Sequence, residues 1–266
     1  MPEARQASKR RKETVPRTLA VAFFVSLVCS ALVASAAVVL KPRQVANEIL
    51  DMRRNILEVA GLIVPGREVD ELFDRIETRV VDLDTGAYRD DLDPKAFDPE
   101  SARKDPETSV VIPPELDIAR IGRRAKQAKV YLVVDEGAVQ RIVLPISGYG
   151  LWSTMYGFLA LEPDGNTIAD IVFYSHGVTA GIGDFVGKPE WRALWTGKRA
   201  YDEEGELRLG VIKGRVSQGD PDADYQVYGV SGATLTGNGV TNLVRYWLGD
   251  HGFGPYLDAI RGEGGS

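Results

Sequence analysis

The chain has 266 residues, 44% of them hydrophobic and 26% charged, which is typical of a protein with one sizeable globular domain or two small ones. A formal net charge of −6 excludes the basic surface that nucleic-acid binding needs. One cysteine and two histidines exclude an internal disulfide and argue against a cysteine- or histidine-built metal centre, so any redox chemistry requires a bound organic cofactor.

Residues 19–40, LAVAFFVSLVCSALVASAAVVL, form the first informative stretch and carry no charge. About 20 apolar residues suffice for a helix to cross a bilayer, so a transmembrane helix is predicted here. Six basic residues precede the stretch and only Lys41 and Arg43 follow closely, which predicts a cytoplasmic N-terminus. The alternative is a cleaved secretory signal, because Ala34-Ser35-Ala36 resembles a cleavage site; the apolar run exceeds the usual length of a signal core, which favours a retained anchor.

Two amphipathic patterns follow the apolar stretch. Residues 45–62 have apolar side chains at helical spacing, and residues 69–80 suggest a second helix. Residues 82–114 are rich in Asp, Pro, Lys and Glu, which indicates a long loop or a partly ordered insertion rather than an acid/base site.

A strand-rich part comes next. Residues 129–134, 139–144, 157–161 and 168–174 are strand-like runs, joined in pairs by turn sequences that contain Gly137 and Gly165. Residues 207–212 and 225–230 are weaker strand candidates. Short strands and tight turns predict an α+β fold, with an antiparallel sheet and flanking helices packed on one side.

The segment 230–248, VSGATLTGNGVTNLVRYWL, ends in a clear amphipathic helix that stops at Gly249. Either Asn238 caps this helix or the helix begins earlier, near Leu235. Ser231-Gly232-Ala233-Thr234 therefore forms a turn at a helix N-terminus, where free N–H groups and the helix dipole favour a phosphate. An ordinary small-residue turn that caps a helix would show the same local pattern.

The tetrapeptide Ser231-Gly232-Ala233-Thr234 resembles the (S/T)GAT signature of the FMN-binding domain family. Together with GLWSTMYG at 150–157, EWRALW at 190–195 and WLGDHGFGPY at 247–256, it is similar to the C-subunit family of sodium-translocating NADH:quinone oxidoreductases. The resemblance covers essentially the whole chain and is strongest from residue 144 onward. It implies FMN bound covalently, as a phosphoester of Thr234 made by a flavin transferase. Thr236 is a second hydroxyl nearby; Thr234 is preferred because it occupies the acceptor position of the motif.

The resemblance also implies further flavin contacts, and it assigns no catalytic residue and no metal ligand to the chain. Trp152 is expected to stack on the flavin ring, with Ser153 and Thr154 beside it, although a core or edge tryptophan of a β-protein has the same signature. The expected cofactor-binding residues are Trp152, Ser153, Thr154, Thr179, Gly181, Ile182, Gly183, Lys213, Ser231, Gly232, Ala233 and Thr234. Two of these expectations have ordinary alternatives: a plain glycine-rich turn for the 179–183 loop and a surface lysine for Lys213.

The implied organisation is a basic cytoplasmic tail (1–18), a transmembrane helix (19–40), a helical and acidic-loop connecting region (41–114) and an FMN-binding domain (115–266). The domain is expected in the periplasm, anchored by a single pass through the bacterial inner membrane and its lipid. The implied function is an electron relay in a membrane complex that oxidises NADH, reduces ubiquinone and pumps Na⁺, with the NADH and quinone sites on other subunits. The alternatives are the G subunit of the homologous ferredoxin:NAD complex and an anchored module that binds no cofactor.

Overall fold

A computed structural model describes residues 15–177, 184–217, 219–230 and 232–263. The chain forms two compact units, Met1–Ile49 and Leu50–Ser266. The second unit therefore includes most of the stretch that the sequence assigns to a connecting region. Its residues 76–82 contribute a strand to the main sheet, because their alternating buried side chains pair with a neighbouring strand.

The first helix, α1 (Val15–Val59), has 45 residues and contains the predicted apolar span together with most of the amphipathic stretch after it. Pro42 lies inside it without ending it. Among the described residues it is the one helix that is long and apolar enough to cross a membrane, with a mean hydropathy of 2.5 over its most apolar window. This judgement rests on length and composition.

The central feature of the second unit is a five-stranded sheet in the order β1-β4-β5-β6-β7, in which every neighbouring pair is antiparallel. The predicted antiparallel sheet is thus confirmed. Two further pairs are separate from it: β2 with β3 is antiparallel, and β8 with β9 is parallel. The strands are β1 (Ile76–Asp82), β2 (Ser109–Val111), β3 (Arg123–Ala125), β4 (Gln127–Asp135), β5 (Ala138–Tyr149), β6 (Thr154–Leu161), β7 (Ile168–Ser175), β8 (Gly210–Ile212) and β9 (Gln226–Tyr228).

Both predicted hairpin turns are present in the structure. Between β4 and β5, Glu136 and Gly137 have φ angles of +49° and +81°, the left-handed pair that a two-residue hairpin turn requires. Between β6 and β7, Gly165 has φ +64°, and the Asp164 carboxylate accepts hydrogen bonds from the N–H groups of Asn166 and Thr167. The four strand-like runs found in the sequence all lie inside β4, β5, β6 and β7.

The remaining helices are short, apart from two near the C-terminus. They are α2 (Val69–Phe73), α3 (Pro99–Lys104), α4 (Pro189–Arg192), α5 (Thr234–Leu248) and α6 (Gly254–Glu263). The helix predicted over 69–80 is therefore wrong after residue 73, where the chain turns into β1. The acidic stretch 82–114 contains α3 and β2, so of the two alternatives it is the partly ordered insertion.

Helices cover both faces of the sheet, rather than one face as the sequence suggested. On one face, Val240, Leu243 and Val244 of α5 join the main core with side chains of β4 to β7. On the other face, Ile56 and Leu57 near the end of α1 join a second apolar cluster with Tyr131, Val143 and Phe158. Both faces of the sheet must be buried, because β4, β5 and β6 are nearly continuous apolar runs with few polar side chains to face water.

Candidate functional site

Helix α5 begins at Thr234, next to Leu235, so the earlier of the two starting points that the sequence left open is the one adopted. Asn238 lies within the helix and does not cap it. Ala233 occupies the N-cap position and offers no side-chain hydrogen bond, and Gly232 before it has φ +83°, a conformation that favours glycine. Because the N-cap side chain accepts no hydrogen bond, N–H groups of the first turn can serve a bound group.

The parallel pair β8–β9 directs both of its strand ends toward this helix start. Ile212 pairs with Tyr228 at the end of the pair, and the N–H of Gly229 donates to the Ile212 carbonyl at 2.9 Å. After these strands the chain runs into 213–215 on one side and into 229–234 on the other. The two segments and the first turns of α5 enclose a cavity of about 440 Å³.

The walls of this cavity combine apolar side chains with cations. Its lining consists of Val211, Ile212, Lys213, Gly214, Arg215, Tyr228, Gly229, Val230, Gly232, Ala233, Thr234, Gly237 and Asn238. Lys213 and Arg215 are exposed, and within the described part of the chain neither has a carboxylate at ion-pairing distance. Two such cations beside a helix N-terminus make this wall attractive to a phosphate.

Thr234 and Thr236 differ sharply in exposure. Thr234 is exposed and lines the cavity, whereas Thr236 is only 2% exposed and does not line it. The difference follows from helical geometry, because residues two apart point to different sides of a helix. Of the two hydroxyls in the motif, the one at position 234 is accessible to another molecule.

Helix α5 is fixed to the β8–β9 pair by polar side chains in its middle. The Thr241 hydroxyl accepts a hydrogen bond from the N–H of Val211 at 2.8 Å. Arg245 donates from Nε to the Leu209 carbonyl at 2.9 Å and from Nη2 to the Arg208 carbonyl at 3.0 Å. A Cβ atom at Gly237 would lie 3.2 Å from the Val211 side chain, so the helix approaches the pair closely where the cavity begins.

The connection between β5 and β6 lies against the second turn of α5. A Cβ atom at Gly239 would stand 3.1 Å from the Tyr149 carbonyl oxygen and 3.2 Å from Cα of Gly150. Trp152, in this connection, is 68% exposed, which excludes a core tryptophan and fits either an edge tryptophan or one that stacks on a ligand. The structure thus brings the predicted block 150–154 beside the helix that begins at Thr234.

The same connection touches the start of the predicted glycine loop. The Ser153 hydroxyl accepts a hydrogen bond from the N–H of Gly177 at 2.8 Å. Trp152, Ser153 and Thr154 are not in the lining of the Thr234 cavity, and Thr154 lines a different cavity. Ser231 and the loop residues Thr179, Gly181, Ile182 and Gly183 lie outside the described residues, and their roles stay predictions.

Sequence reasoning missed two side chains of the cavity wall. Arg215 belongs to no recognisable motif. It lies at the site because β8 and β9 are parallel, so the segments that follow both strands are on the same side. Tyr228 is 38% exposed at the end of β9, and its carbonyl oxygen accepts from Nε1 of the buried Trp191 at 3.1 Å. The adjacent glycines at 210, 214 and 229 were the signal in the sequence that the chain turns tightly here, but they do not indicate which strands meet.

Taken together, the site suits a ligand with a phosphate and an apolar body. Lys213, Arg215 and the α5 N-terminus supply positive potential, while Val211, Ile212 and Val230 supply apolar wall. Two apolar side chains at the start of α5 and just before it are exposed: Leu235 to 62% and Val230, which lines the cavity, to 39%. The exposed Thr234 hydroxyl lies where a phosphate bound to these groups would be within covalent reach.

The chain is similar to known proteins over nearly its full length. The FMN-binding domain family matches residues 150–249. The C subunit of the Na(+)-translocating NADH-quinone reductase of Pseudomonas aeruginosa is 50% identical over 94% of this chain and 97% of its own. The protein of the same description from Vibrio alginolyticus is 46% identical over 94% of this chain and 96% of its own.

Two crystal structures resemble the described fold. NqrC of Shewanella oneidensis aligns with a TM-score of 0.72 at 39% identity and covers 80% of this chain and 97% of its own. The C subunit of the Na(+)-translocating NADH-quinone reductase of Parabacteroides distasonis aligns with a TM-score of 0.60 at 26% identity, over 82% of this chain and 96% of its own.

Proposed function

The chain belongs to the family of the C subunits of Na(+)-translocating NADH-quinone reductases, and from this premise we propose that it carries its FMN as a phosphoester of Thr234. Members of this family are subunits of a membrane NADH-quinone reductase, and the chain is an FMN-carrying electron relay in that complex. The single observation that carries the covalent proposal is the exposed Thr234 hydroxyl at the start of α5, on the wall of a cavity that also contains Lys213 and Arg215.

The residues present fit FMN in three respects. The cations and the helix N-terminus match its phosphate, the apolar walls match its ring system, and a volume of about 440 Å³ is within the usual range of cofactor sites, about 300–1,000 Å³. The burial of Thr236 supports Thr234 as the acceptor, because a side chain that is 2% exposed is not open to a transferase. When bound, FMN supplies the redox chemistry, since no side chain of the chain is assigned an electron-carrying role.

The chain's own residues hold and orient the group. Lys213 and Arg215 would neutralise the phosphodiester charge, and the covalent bond would prevent loss of the cofactor. Trp152 would offer an aromatic surface beside the second turn of α5. Electrostatic attraction alone is weakened by salt at an exposed surface, so a covalent tether secures a cofactor that these two cations would hold only loosely.

The family membership and the apolar helix also suggest where the protein lies and what it assembles with. The apolar part of α1 would span the bacterial inner membrane once, with the basic tail in the cytoplasm and the FMN domain in the periplasm. Other subunits of the complex would hold the NADH and ubiquinone sites and the sodium path. A flavin transferase would attach the FMN during maturation.

The two alternatives left by the sequence are less well supported. The match to C-subunit proteins over more than nine-tenths of each chain favours this identity over the G subunit of a ferredoxin:NAD complex. The match to the FMN-binding domain family favours a flavoprotein over a module without a cofactor.

The test is co-expression with a flavin transferase, followed by denaturing electrophoresis under ultraviolet light. We expect a fluorescent band for the wild type and a dark band for Thr234→Val. Intact-mass measurement should give an increase of one FMN minus one water for the wild type alone.

Thr236→Val is the matched control, because it removes the neighbouring hydroxyl and keeps the motif threonine. It should remain fluorescent. A dark wild-type band would refute covalent attachment, and a band that persists in Thr234→Val but disappears in Thr236→Val would move the attachment to position 236.

A further inference from the structure

A second cavity of about 440 Å³ lies away from the Thr234 site and shares no lining residue with it. It is formed by α3, by β4 to β7 and by Trp247 near the end of α5. Of the residues expected to bind the flavin, only Thr154 lines this cavity, and Thr234, Lys213 and Arg215 lie in the other one. Its lining contains an aromatic panel and one unusual lysine, and these two features identify what it would bind.

The aromatic panel takes its side chains from β4, β6 and β7 of the main sheet. Ring centroids are 6.4 Å apart between Tyr156 and Tyr174, 5.3 Å between Tyr174 and Phe158, and 6.0 Å between Phe158 and Tyr131. Phe158 is 2% exposed and belongs to the core, whereas Tyr174 is 45% exposed. The panel therefore has a buried base and an open end, against which a further planar ring can pack.

Lys129 lies on the same wall, two residues before Tyr131 on β4. It is half-buried, and burial lowers the pKa of its ammonium group, opposed by the charges of Asp98 and Asp93. Within the described residues, its ammonium has no hydrogen bond and no ion pair within 4.0 Å. A partly desolvated ammonium without a direct acceptor is costly, so this position favours a ligand that brings one.

The other cations of the lining are differently placed. Arg103 pairs with Glu100, the buried Arg124 pairs with Asp84, and Arg123 donates to the Ser109 hydroxyl at 2.6 Å. The fourth, Arg120, is exposed and lies before β3. Lys129 differs from these four because it lies on β4, two residues from Tyr131 of the aromatic panel, so it is the cation placed to meet a ligand that stacks there. Asp98 and Glu100 also line the cavity, and the Asp98 charge acts on the Lys129 ammonium, so a ligand that placed several negative charges at this end would be repelled.

We propose that this cavity binds a planar aromatic monoanion, with its ring against Tyr156 and Tyr174 and its acidic oxygen on the Lys129 ammonium. The ring stacks on the open end of the aromatic panel, and the oxygen forms the charge-assisted hydrogen bond that Lys129 lacks. The volume is sufficient for a bicyclic ring system, since small-molecule sites are usually about 300–1,000 Å³.

The proposal is tested with 2-naphthoate as the probe and with the full chain in nanodiscs of neutral lipid. Equilibrium dialysis, with empty nanodiscs subtracted, should show saturable binding. Lys129→Met should weaken binding about tenfold or more, because it removes the charge and keeps most of the side-chain volume. Tyr174→Leu should weaken binding severalfold, and the neutral analogue 2-naphthylmethanol should bind the wild type and Lys129→Met equally.

Two controls separate this site from others. Lys95→Met removes an exposed charge outside the lining, and Lys213→Met removes a cation of the Thr234 cavity; both should bind 2-naphthoate as the wild type does. Lys129→Arg, which keeps the charge, should bind within about threefold of the wild type and shows that the position tolerates substitution.

Three results would overturn the proposal: no saturable binding to the wild type, unchanged binding in Lys129→Met, or a loss that follows Lys213→Met instead. The last result would assign the probe to the Thr234 cavity. None of these outcomes depends on flavin attachment, because the same measurements apply to the Thr234→Val chain.

Discussion

Gly148 of β5 lies directly beneath Leu243 of α5, and a Cβ atom at position 148 would stand 2.5 Å from Cβ of Leu243. The same hypothetical atom would also lie 3.3 Å from Ala119. Only a hydrogen fits between strand and helix at this point. The close contact sets the height of α5 above the sheet and, with it, the position of the helix start that carries Thr234.

Gly148→Ala should therefore destabilise the fold. The extra methyl group must push α5 or β5 aside, and overpacking of this kind typically costs about 1–3 kcal/mol. Urea denaturation of the detergent-solubilised chain would measure it. Gly262→Ala is the matched control, since a Cβ at position 262 meets nothing within 4 Å; its unfolding free energy should equal or slightly exceed that of the wild type.

Lys213 and Arg215 should determine the preference for a phosphorylated flavin. In a Thr234→Val background, which abolishes attachment, we expect FMN to bind more tightly than riboflavin because only FMN carries the phosphate. The Lys213→Met/Arg215→Met pair should weaken FMN binding by about tenfold per charge and leave riboflavin binding unchanged. Fluorescence titration would measure both affinities. Equal losses for the two flavins would contradict a phosphate-binding role.

Arg192 connects two parts of the second unit. Its guanidinium donates to Asp170 of β7 at 2.6 Å and also pairs with Glu58 near the end of α1. Its side chain is 16% exposed, so Arg192→Met would leave a partly buried carboxylate without a partner, at a cost of roughly 1–3 kcal/mol. Chemical denaturation would measure the loss. Asp170→Asn in the Arg192→Met chain should recover part of it, because the uncompensated charge is then gone.

The main sheet was predictable from sequence because its signals are local. The runs that form β4, β5, β6 and β7 are apolar, and a turn sequence joins each pair. Such turns allow few backbone conformations, and Glu136 and Gly137 adopt the left-handed one between β4 and β5. The stretch 69–80 was misread because its apolar residues also fit helical spacing. Pairing with β4 decides that Ile76 and Val80 belong to a strand, and pairing is not visible locally.

The candidate site was only partly predictable, because some of its contacts join segments that are distant in the sequence. The start of α5 and the exposed Thr234 follow from the sequence between 231 and 248, which contains both the turn and the helix period. Arg215 comes to the site through the parallel register of β8 with β9, a contact between segments with no shared pattern. The separate cavity beside Lys129 depends on where α3 packs against the sheet. The acidic, proline-containing sequence around α3 has no pattern that predicts this packing.

Asp82 should make the fold sensitive to acid. Burial alone would raise the pKa of its carboxyl group, but hydrogen bonds from Gln127, from the Thr85 backbone and hydroxyl, and from the Asp84 backbone outweigh burial and lower it. A folded-state pKa below the unfolded value, about 3.9, gives stability that is present above pH 4 and is lost as pH falls through the folded value. Urea denaturation between pH 7 and pH 3 should show this loss, and Asp82→Asn should flatten the profile in that window.

The orientation of the chain in the membrane can be tested with its cysteine content, since Cys29 is the only cysteine. The basic residues before the apolar span predict a cytoplasmic N-terminus and a periplasmic domain. In a Cys29→Ser background, a cysteine placed at the exposed position Glu203 should therefore react with a membrane-impermeant maleimide in intact cells. A cysteine at Ser8 should react only after lysis. Labelling of Glu203→Cys only after lysis would invert the predicted topology. Loss of the Ser8→Cys label from the mature protein would instead identify the apolar segment as a cleaved signal, because a retained anchor keeps the residues before it.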